Sequence, residues 1–306
     1  MLTLSTKIRE NCILPPLKAI SMSVNRLVVL FVFVGVLLSC NNDDGDEIPA
    51  PEPPRPLGEV LAEDEAKIQE YLKTHYYNYA EFQNPPENFD YKIKLQEIPE
   101  GNTDTIPLID QIQSIDITVP SQHYLIAGDV ENVTHKLYYL SAREGVGETL
   151  TVADSAFVRY EGSLLTGEIF DQNNIDNPVW FDLPILQAPA TSLTSGTAAR
   201  GFSEGIRNFK SGGPAVINDD GTYTLDDYGV GVIIFPSGLG YYNLARTTIS
   251  SYSPLIFKID LFAMNQTDHD SDGKISIEED TNGDGYLFND DADGDGLPDY
   301  LDADSN

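Results

Sequence analysis

Apolar residues recur at helical spacing between Ala62 and Tyr79, where Ile68, Tyr71, Leu72, Tyr76 and Tyr79 fall on one face. Acidic residues crowd the first turn, where the helix dipole favours them. The pattern predicts one amphipathic helix whose tyrosines form its buried side. From residue 89 to about 140 the chain breaks into short β-like runs separated by Pro, Gly and Asn, which predicts a lead-in packed on the strand-rich region C-terminal to it. There, strand-like runs succeed one another: HKLYYLSAREG, DSAFVRYEGSL and EIFDQN. A glycine-punctuated helix, ARGFSEGIRNFKSGG, separates them from two further strands in GVIIFP and PLIFKIDLFAM. Many strands and one short helix predict an α+β fold, an antiparallel sheet wrapped around that helix over residues 136–264.

Two stretches stand outside this pattern. Leu27 to Leu38, LVVLFVFVGVLL, is about half the length of a membrane span of roughly 20 residues and fits the apolar core of an export signal. Arg26 supplies its positive flank, and Met22 is a possible start. LLSC, Leu37 to Cys40, resembles the bacterial lipobox, so residues 1–39 are read as a signal peptide and Cys40 as the lipid-bearing residue. The plainer alternative is a cysteine that happens to follow a signal. Residues 40–58 are acidic and then proline-rich, which predicts an extended tether. The acidic run after the cysteine also resembles the surface-export signal of Bacteroidota lipoproteins. Together these place the chain on the outer membrane, at its periplasmic face or at the cell surface, with the lipid bilayer as a partner through Cys40.

Charge sharpens the division. The 306-residue chain has a formal net charge of −31, and residues 265–306 contain twelve Asp and two Glu against one Lys. Such a balance argues against nucleic acid as a partner. Cys12 and Cys40 are the only cysteines, so removal of the signal leaves no intrachain disulfide.

The last segment, DHDSDGKISIEEDTNGDGYLFNDDADGDGLPDYLDAD, repeats an alternation of aspartates with glycines. Its first unit fits a calcium loop: Asp268, Asp270 and Asp272 at positions 1, 3 and 5, Gly273 at the turn, Lys274 at 7, Ser276 at 9 and Glu279 at 12. A second unit carries Asp280, Asn282 and Asp284 with Gly285. A third carries Asp291, Asp293 and Asp295 with Gly296, then Asp299 and Asp302. The repeat is too short to hold helices between loops and resembles dockerin-like and thrombospondin type 3 repeats, in which structural calcium organises a helix-poor ribbon. An acidic solvated tail without metal is the alternative reading.

Four ordered blocks of residues 136–264 resemble the FKBP-type peptidyl-prolyl isomerases. VRYEGSLLTGEIFDQN (Val158–Asn173) is similar to the strand–turn–strand that ends in the family's Phe-Asp pair. GFSEGIRNFKSGGPA (Gly201–Ala215) is similar to its helix and following turn. IIFPSGLGYY (Ile233–Tyr242) is similar to its tyrosine loop, and LIFKIDL (Leu255–Leu261) to its last strand. The resemblance implies an FKBP-like sheet around one short helix, with a helical and β lead-in over 59–135 and the calcium-loop tail over 265–306.

It also implies a proline-binding pocket lined by Tyr160, Phe170, Asp171, Phe202, Tyr241, Ile249 and Phe257. In that scheme Phe170, Phe202 and Phe257 grip the proline ring, Tyr241 donates to a substrate carbonyl, and Asp171 orients the site. No cofactor is needed for catalysis. Phe202 stands where most of the family has tryptophan, Ala198 and Ala199 replace a Val-Ile pair, and ISSYSPL replaces an Ile-Pro-Pro run. PILQAPATSLTSGT and the hairpin-like NDDGTYTLDDYGVG are insertions bordering the pocket. Two functions are compatible with these residues. One is isomerisation of proline-containing polypeptide clients during folding of exported or envelope proteins. The other is a non-catalytic peptide-binding module on the same fold, its tail stabilised by calcium.

Overall fold

The chain enters its folded part through an 18-residue helix, α1 (Leu57–Thr74), which starts inside the stretch expected to be an extended tether. Pro56 is its N-cap residue, with φ −58° and ψ 138°. The tether's last residues are docked: Arg55 N–H donates to the Tyr252 hydroxyl (3.1 Å), and the Tyr242 hydroxyl donates to the Arg55 carbonyl (2.5 Å). This is a computed structural model that describes residues 53–128, 130–173, 177–189, 199–219 and 223–305, all within one compact unit running from Pro53. The export signal, Cys12, Cys40, Ala198 and the acidic part of the tether lie outside the described residues.

The helix ends at Thr74, five residues short of the predicted Tyr79. His75–Tyr77 is instead strand β1, paired with β2 (Leu95–Glu97). An aromatic run suits a pleated, half-buried surface better than a helix interior. Tyr71 is therefore buried in the helix, Tyr76 lies opposite Gln96, and Tyr79 opens the short helix α2 (Tyr79–Gln83).

The main sheet comprises β3 (Gln113–Pro120), β4 (Asn132–Arg143), β5 (Ser155–Leu164), β6 (Ile169–Gln172), β7 (Val179–Asp182), β10 (Gly229–Phe235) and β11 (Leu255–Asn265). Its order is β3-β4-β10-β11-β5-β6, every pair antiparallel. Strand β7 pairs with the first half of β5, and β6 with the second half. The expected boundary at residue 135 falls inside β4, and β3 belongs to the same sheet, so the lead-in is part of the sheet rather than a segment laid on it. Within the hairpin-like insertion at residues 218–231, β9 (Tyr223–Thr224) pairs with β8 (Val216–Ile217) just before it, and the last three residues open β10.

Period-two alternation sorts the strands onto two cores. Leu137, Ile233, Phe235, Leu255, Phe257 and Ile259 face one side with helix α3 (Arg200–Ile206). Tyr138, Leu140, Val232, Ile234 and Ile256 face the other, where Ile68, Tyr71 and Leu72 of α1 and Ile93 cover them. Helix α1 reaches both cores, since Leu57 and Val60 join the first. Fully buried Asp64 pins it to the turn after β10, accepting from the Ser237 N–H (2.9 Å) and hydroxyl (2.5 Å).

Helix α3 lies unusually close to the sheet. A Cβ on Gly201 would stand 2.5 Å from the Phe235 ring, and one on Gly205 2.5 Å from Ile233. Two glycines four residues apart thus give the helix a bare stripe, and that close approach sets how deep Phe202 sits.

The C-terminal segment holds no helix beyond 3₁₀ turns at Ser276–Glu279, Leu287–Asn289 and Asp299–Leu301. Leu287 and Tyr300 pack with Ala153 in a small core of their own.

Candidate functional site

Five aromatic rings from four elements of the sheet and α3 converge beneath that helix. Phe202, 2 % exposed, is the floor. Its ring meets Phe257 of β11 edge-on at 5.2 Å between centroids and Phe181 of β7 at 5.1 Å. Tyr160 of β5 approaches Phe181 at 5.3 Å and Phe202 at 6.3 Å, and Phe170 of β6 meets Phe257 at 5.6 Å. Edge-to-face contacts at these spacings add to plain area burial and fix ring orientation. Phe235, stacked on Phe257 at 5.8 Å, braces the cage from beneath.

Polar groups stand at the rim. The Tyr160 hydroxyl donates to Oδ2 of exposed Asp171 at 2.6 Å. Burial, and then that bond, push the Tyr160 phenol up, and burial does the same to Tyr241. Both remain donors at neutral pH. Arg246 lies over the Tyr241 ring, 4.9 Å from its centroid, and Tyr241 packs against the same core as the cage. Ile249 is buried in the same core as the cage, and Ala199, 4 % exposed, caps the start of α3.

Phe181 was not foreseen. Its strand, VWFD, alternates Val179 and Phe181 on the core side with exposed Trp180. That alternation is the signal that would have found it, but four residues between turns are too short to read as a strand.

A polar cavity of about 480 Å³ lies along β5 and β11, among Lys92, Arg159, Glu161, Lys258 and Asp260. Four of its charges are paired, Arg159 with Asp260 and Lys258 with Glu161, and Lys92 adds one further cation.

The acidic tail repeats one construction three times. In the first loop Asp268 Oδ1 accepts from Ser271 N–H (2.8 Å) and Oδ2 from Gly273 N–H (3.2 Å), while Asp270 and Asp272 accept from the N–H two residues on. The second does the same with Asp280, Asn282 and Asp284, and the third with Asp291, Asp293 and Asp295. Gly273, Gly285 and Gly296 take the positive φ (100°, 76° and 96°) that closes each loop. Carboxylate oxygens of Asp268, Asp270 and Asp272 lie within 4.8 Å of one another, as do those of Asp291, Asp293 and Asp295. Lys274 is exposed beside the first set. Asp299 is held by the Ala292 N–H at 2.8 Å.

A second feature is independent of loop geometry. Glu279 and Asp290, 5 % and 3 % exposed, each keep one carboxylate oxygen buried without a hydrogen-bond partner, as does Asp302. One such acid stands at the end of each 3₁₀ turn. Burial, and then the charges of Asp270, Asp272 and Asp268, push the Glu279 carboxyl up to about 7. Asp290 escaped the sequence reading because it falls at position 11 of its loop, beside the expected Asp291. Hard oxygen donors gathered around uncompensated buried carboxylate fit a divalent cation.

No model of a known protein family matches the chain. It is similar to the peptidyl-prolyl cis-trans isomerase Mip of Chlamydia muridarum (strain MoPn / Nigg), 22 % identical over 210 residues that cover 60 % of this chain and 79 % of the relative. Among solved structures it is similar to the peptidyl-prolyl cis-trans isomerase of Pseudomonas syringae pv. tomato strain DC3000, at 23 % identity, 42 % of this chain, 76 % of the other and a TM-score of 0.31. It is also similar to FkpA of Escherichia coli, at 17 % identity, 80 % and 74 % coverage and a TM-score of 0.33. The Mip likeness supports the FKBP-type resemblance. It supports peptidyl-prolyl cis-trans isomerase activity as well.

Proposed function

We propose that the chain is an exported, lipid-anchored FKBP-type peptidyl-prolyl isomerase acting on extended proline-containing segments of envelope or secreted proteins, with a calcium-binding tail. The observation that carries the isomerase reading is the cage itself: Tyr160, Phe170, Phe181, Phe202 and Phe257 meet ring to ring, with Asp171 bonded to Tyr160 at the rim and Tyr241 packed on the same core.

The chemistry asks for little more. Rotation about an X–Pro bond faces a barrier near 20 kcal/mol because twisting removes amide resonance, and unaided it takes tens to hundreds of seconds. No bond to carbon is made or broken. A water-poor aromatic pocket favours the less polarised twisted amide over the planar one, and each 1.36 kcal/mol of that preference gives about tenfold in rate. Phe170, Phe202 and Phe257 hold the proline ring, with Phe181 closing the remaining side. The half-buried Tyr241 phenol, kept protonated, donates to a flanking carbonyl. Asp171 fixes Tyr160 at the rim.

A protease-coupled proline-peptide assay tests this, with Tyr241→Phe and Asp171→Ala as controls. No acceleration by the intact protein would defeat the enzyme reading and leave the peptide-binding module.

The sequence order of LVVLFVFVGVLL and LLSC supports export and lipidation of Cys40. Mass spectrometry of Cys40 in membrane fractions tests it; an unmodified cysteine would overturn it. In the tail, Asp268, Asp270, Asp272 and Glu279 would hold one cation, Asp280, Asn282, Asp284 and Asp290 a second, and Asp291, Asp293, Asp295, Asp299 and Asp302 a third. Bound calcium supplies the positive charge those carboxylates lack. Loops of this kind outside cells bind at roughly 10⁻⁴ to 10⁻³ M, so calorimetry at millimolar calcium decides.

A further inference from the structure

We propose that calcium binding by the tail positions the walls of the isomerase pocket, so that metal occupancy and peptide affinity are coupled; this rests on the isomerase and calcium readings above. The tail does not hang free of the pocket domain. It is fastened to the two elements that carry Phe202 and Phe181.

The first fastening is to α3 and to the 3₁₀ turn Pro184–Gln187 that packs on it. In the second loop the Gly285 N–H closes the cradle on Asp280 Oδ2 (2.9 Å), while the carbonyl of that same residue accepts from Nε2 of fully buried Gln187 at 2.7 Å. Gln187 Oε1 in turn accepts from the Leu287 N–H (3.4 Å). One residue therefore links a ligand carboxylate to the core. The neighbouring Tyr286 N–H is held by Asp284 Oδ1 (2.7 Å), and its ring lies under the Arg200 guanidinium, 4.5 Å from the centroid. Arg200 is buried on α3 and paired with Glu204 (3.1 Å), which also meets Arg207 (3.3 Å). Arg200, Phe202 and Glu204 stand in one seven-residue helix. Whatever moves Tyr286 acts on the helix that bears the pocket floor.

The second fastening is to β7. His269, one residue past Asp268, accepts or donates through Nδ1 with the Ser276 hydroxyl (2.7 Å) and through Nε2 with Asp182 (3.0 Å). Asp182 follows Phe181 directly. Both aromatic walls that meet at 5.1 Å are thus tied to loops of the tail.

Without a cation, the like charges of each loop and the unpartnered oxygens of Glu279 and Asp290 repel, loosening the Gly285 and Leu287 peptides that Gln187 holds and the Tyr286 and His269 rings that Arg200 and Asp182 hold. Coupling of binding sites is reciprocal. A peptide that prefers the fastened arrangement of Phe181 and Phe202 therefore raises calcium affinity by the factor by which calcium raises peptide affinity.

Calorimetry on the intact protein tests this with calcium chloride and a proline-containing tetrapeptide, each titrated with and without the other. We expect a five- to tenfold gain in both directions. Emission of Trp180, the single tryptophan, two residues from Asp182, should shift on calcium addition. In Gln187→Leu, and separately in Tyr286→Leu, both ligands should still bind while the factor falls toward one. Calcium binding with no change in peptide affinity would overturn the coupling alone. No calcium binding would overturn the tail reading beneath it, and no peptide binding the isomerase reading. An undiminished factor in both variants would reject these fastenings as the route.

Discussion

The aromatic cage and the acidic tail are built in opposite ways. Each tail loop is closed by N–H groups within five residues of the aspartates that receive them. The cage draws Tyr160, Phe181, Phe202 and Phe257 from positions up to 97 residues apart, and no two of its rings would meet without the sheet. A locally built site tolerates distant change but answers to its solvent and ions. A packed site answers to any loss of volume and feels ions only through the elements that fasten it to the tail. Helix α3 is where the two kinds of construction touch.

The largest expected effect tests the packed site. Phe202→Ala should cost about 3 to 5 kcal/mol of stability, in the range for a buried phenylalanine, and lower kcat/KM at least a hundredfold. Denaturant melts and the proline-peptide assay check both, and a small change in either would mean that the cage is not held by this ring.

Acid should strike both regions together. Burial first of all holds His123 and His135 down at about 4. His135 sits beneath the Gly238 turn and His123 against Tyr286 of the tail. A base with a depressed folded pKa makes the unfolded chain the better proton acceptor, so stability is full above pH 6.5 and falls as pH drops toward 4. Each group accounts for about 3 kcal/mol at the lower limit. Thermal melts at pH 7, 5.5 and 4 measure it, and His135→Gln should flatten part of the slope.

Next comes the local site. Calcium at about fifty times its dissociation constant should add about 2 kcal/mol for each site filled, and chelation should open residues 265–306 to protease. Glu279→Gln should remove part of the calcium gain while leaving the metal-free melt unchanged or slightly raised, because its carboxylate is uncompensated there. A fall in metal-free stability would show that Glu279 is structural.

The smallest effect belongs to the rim. Tyr241→Phe keeps the ring and removes one donor, so kcat/KM should fall about tenfold, equivalent to roughly 1.4 kcal/mol, with no change in calcium affinity beyond the coupling already described. Separate titrations of the two ligands distinguish these outcomes.

The tail was legible residue by residue because its spacing is its geometry: Asp268, Asp270 and Asp272 converge through turns that glycine favours. Asp290 was not singled out because it falls at position 11 of its loop, beside Asp291, and its burial to 3 % exposure is a tertiary property that spacing does not carry. The helix ending at Thr74 and the strand at His75–Tyr77 were misread for a related reason. Helical spacing continues through Tyr76 and Tyr79, and only the partner Leu95–Glu97 makes the extended form win.

Periodicity and backbone freedom are local properties of the chain, and they account for the alternation that places Phe257 and Tyr160 on one sheet face, the glycine stripe of α3, and the loops of the tail. The tertiary structure alone decided that Phe181 closes the cage, that β3 and β4 carry the lead-in into the sheet, and that Gln187 and Arg200 bind the tail to the pocket. Those outcomes depend on which surfaces meet, and burial against a distant partner leaves no mark in the spacing of a single segment.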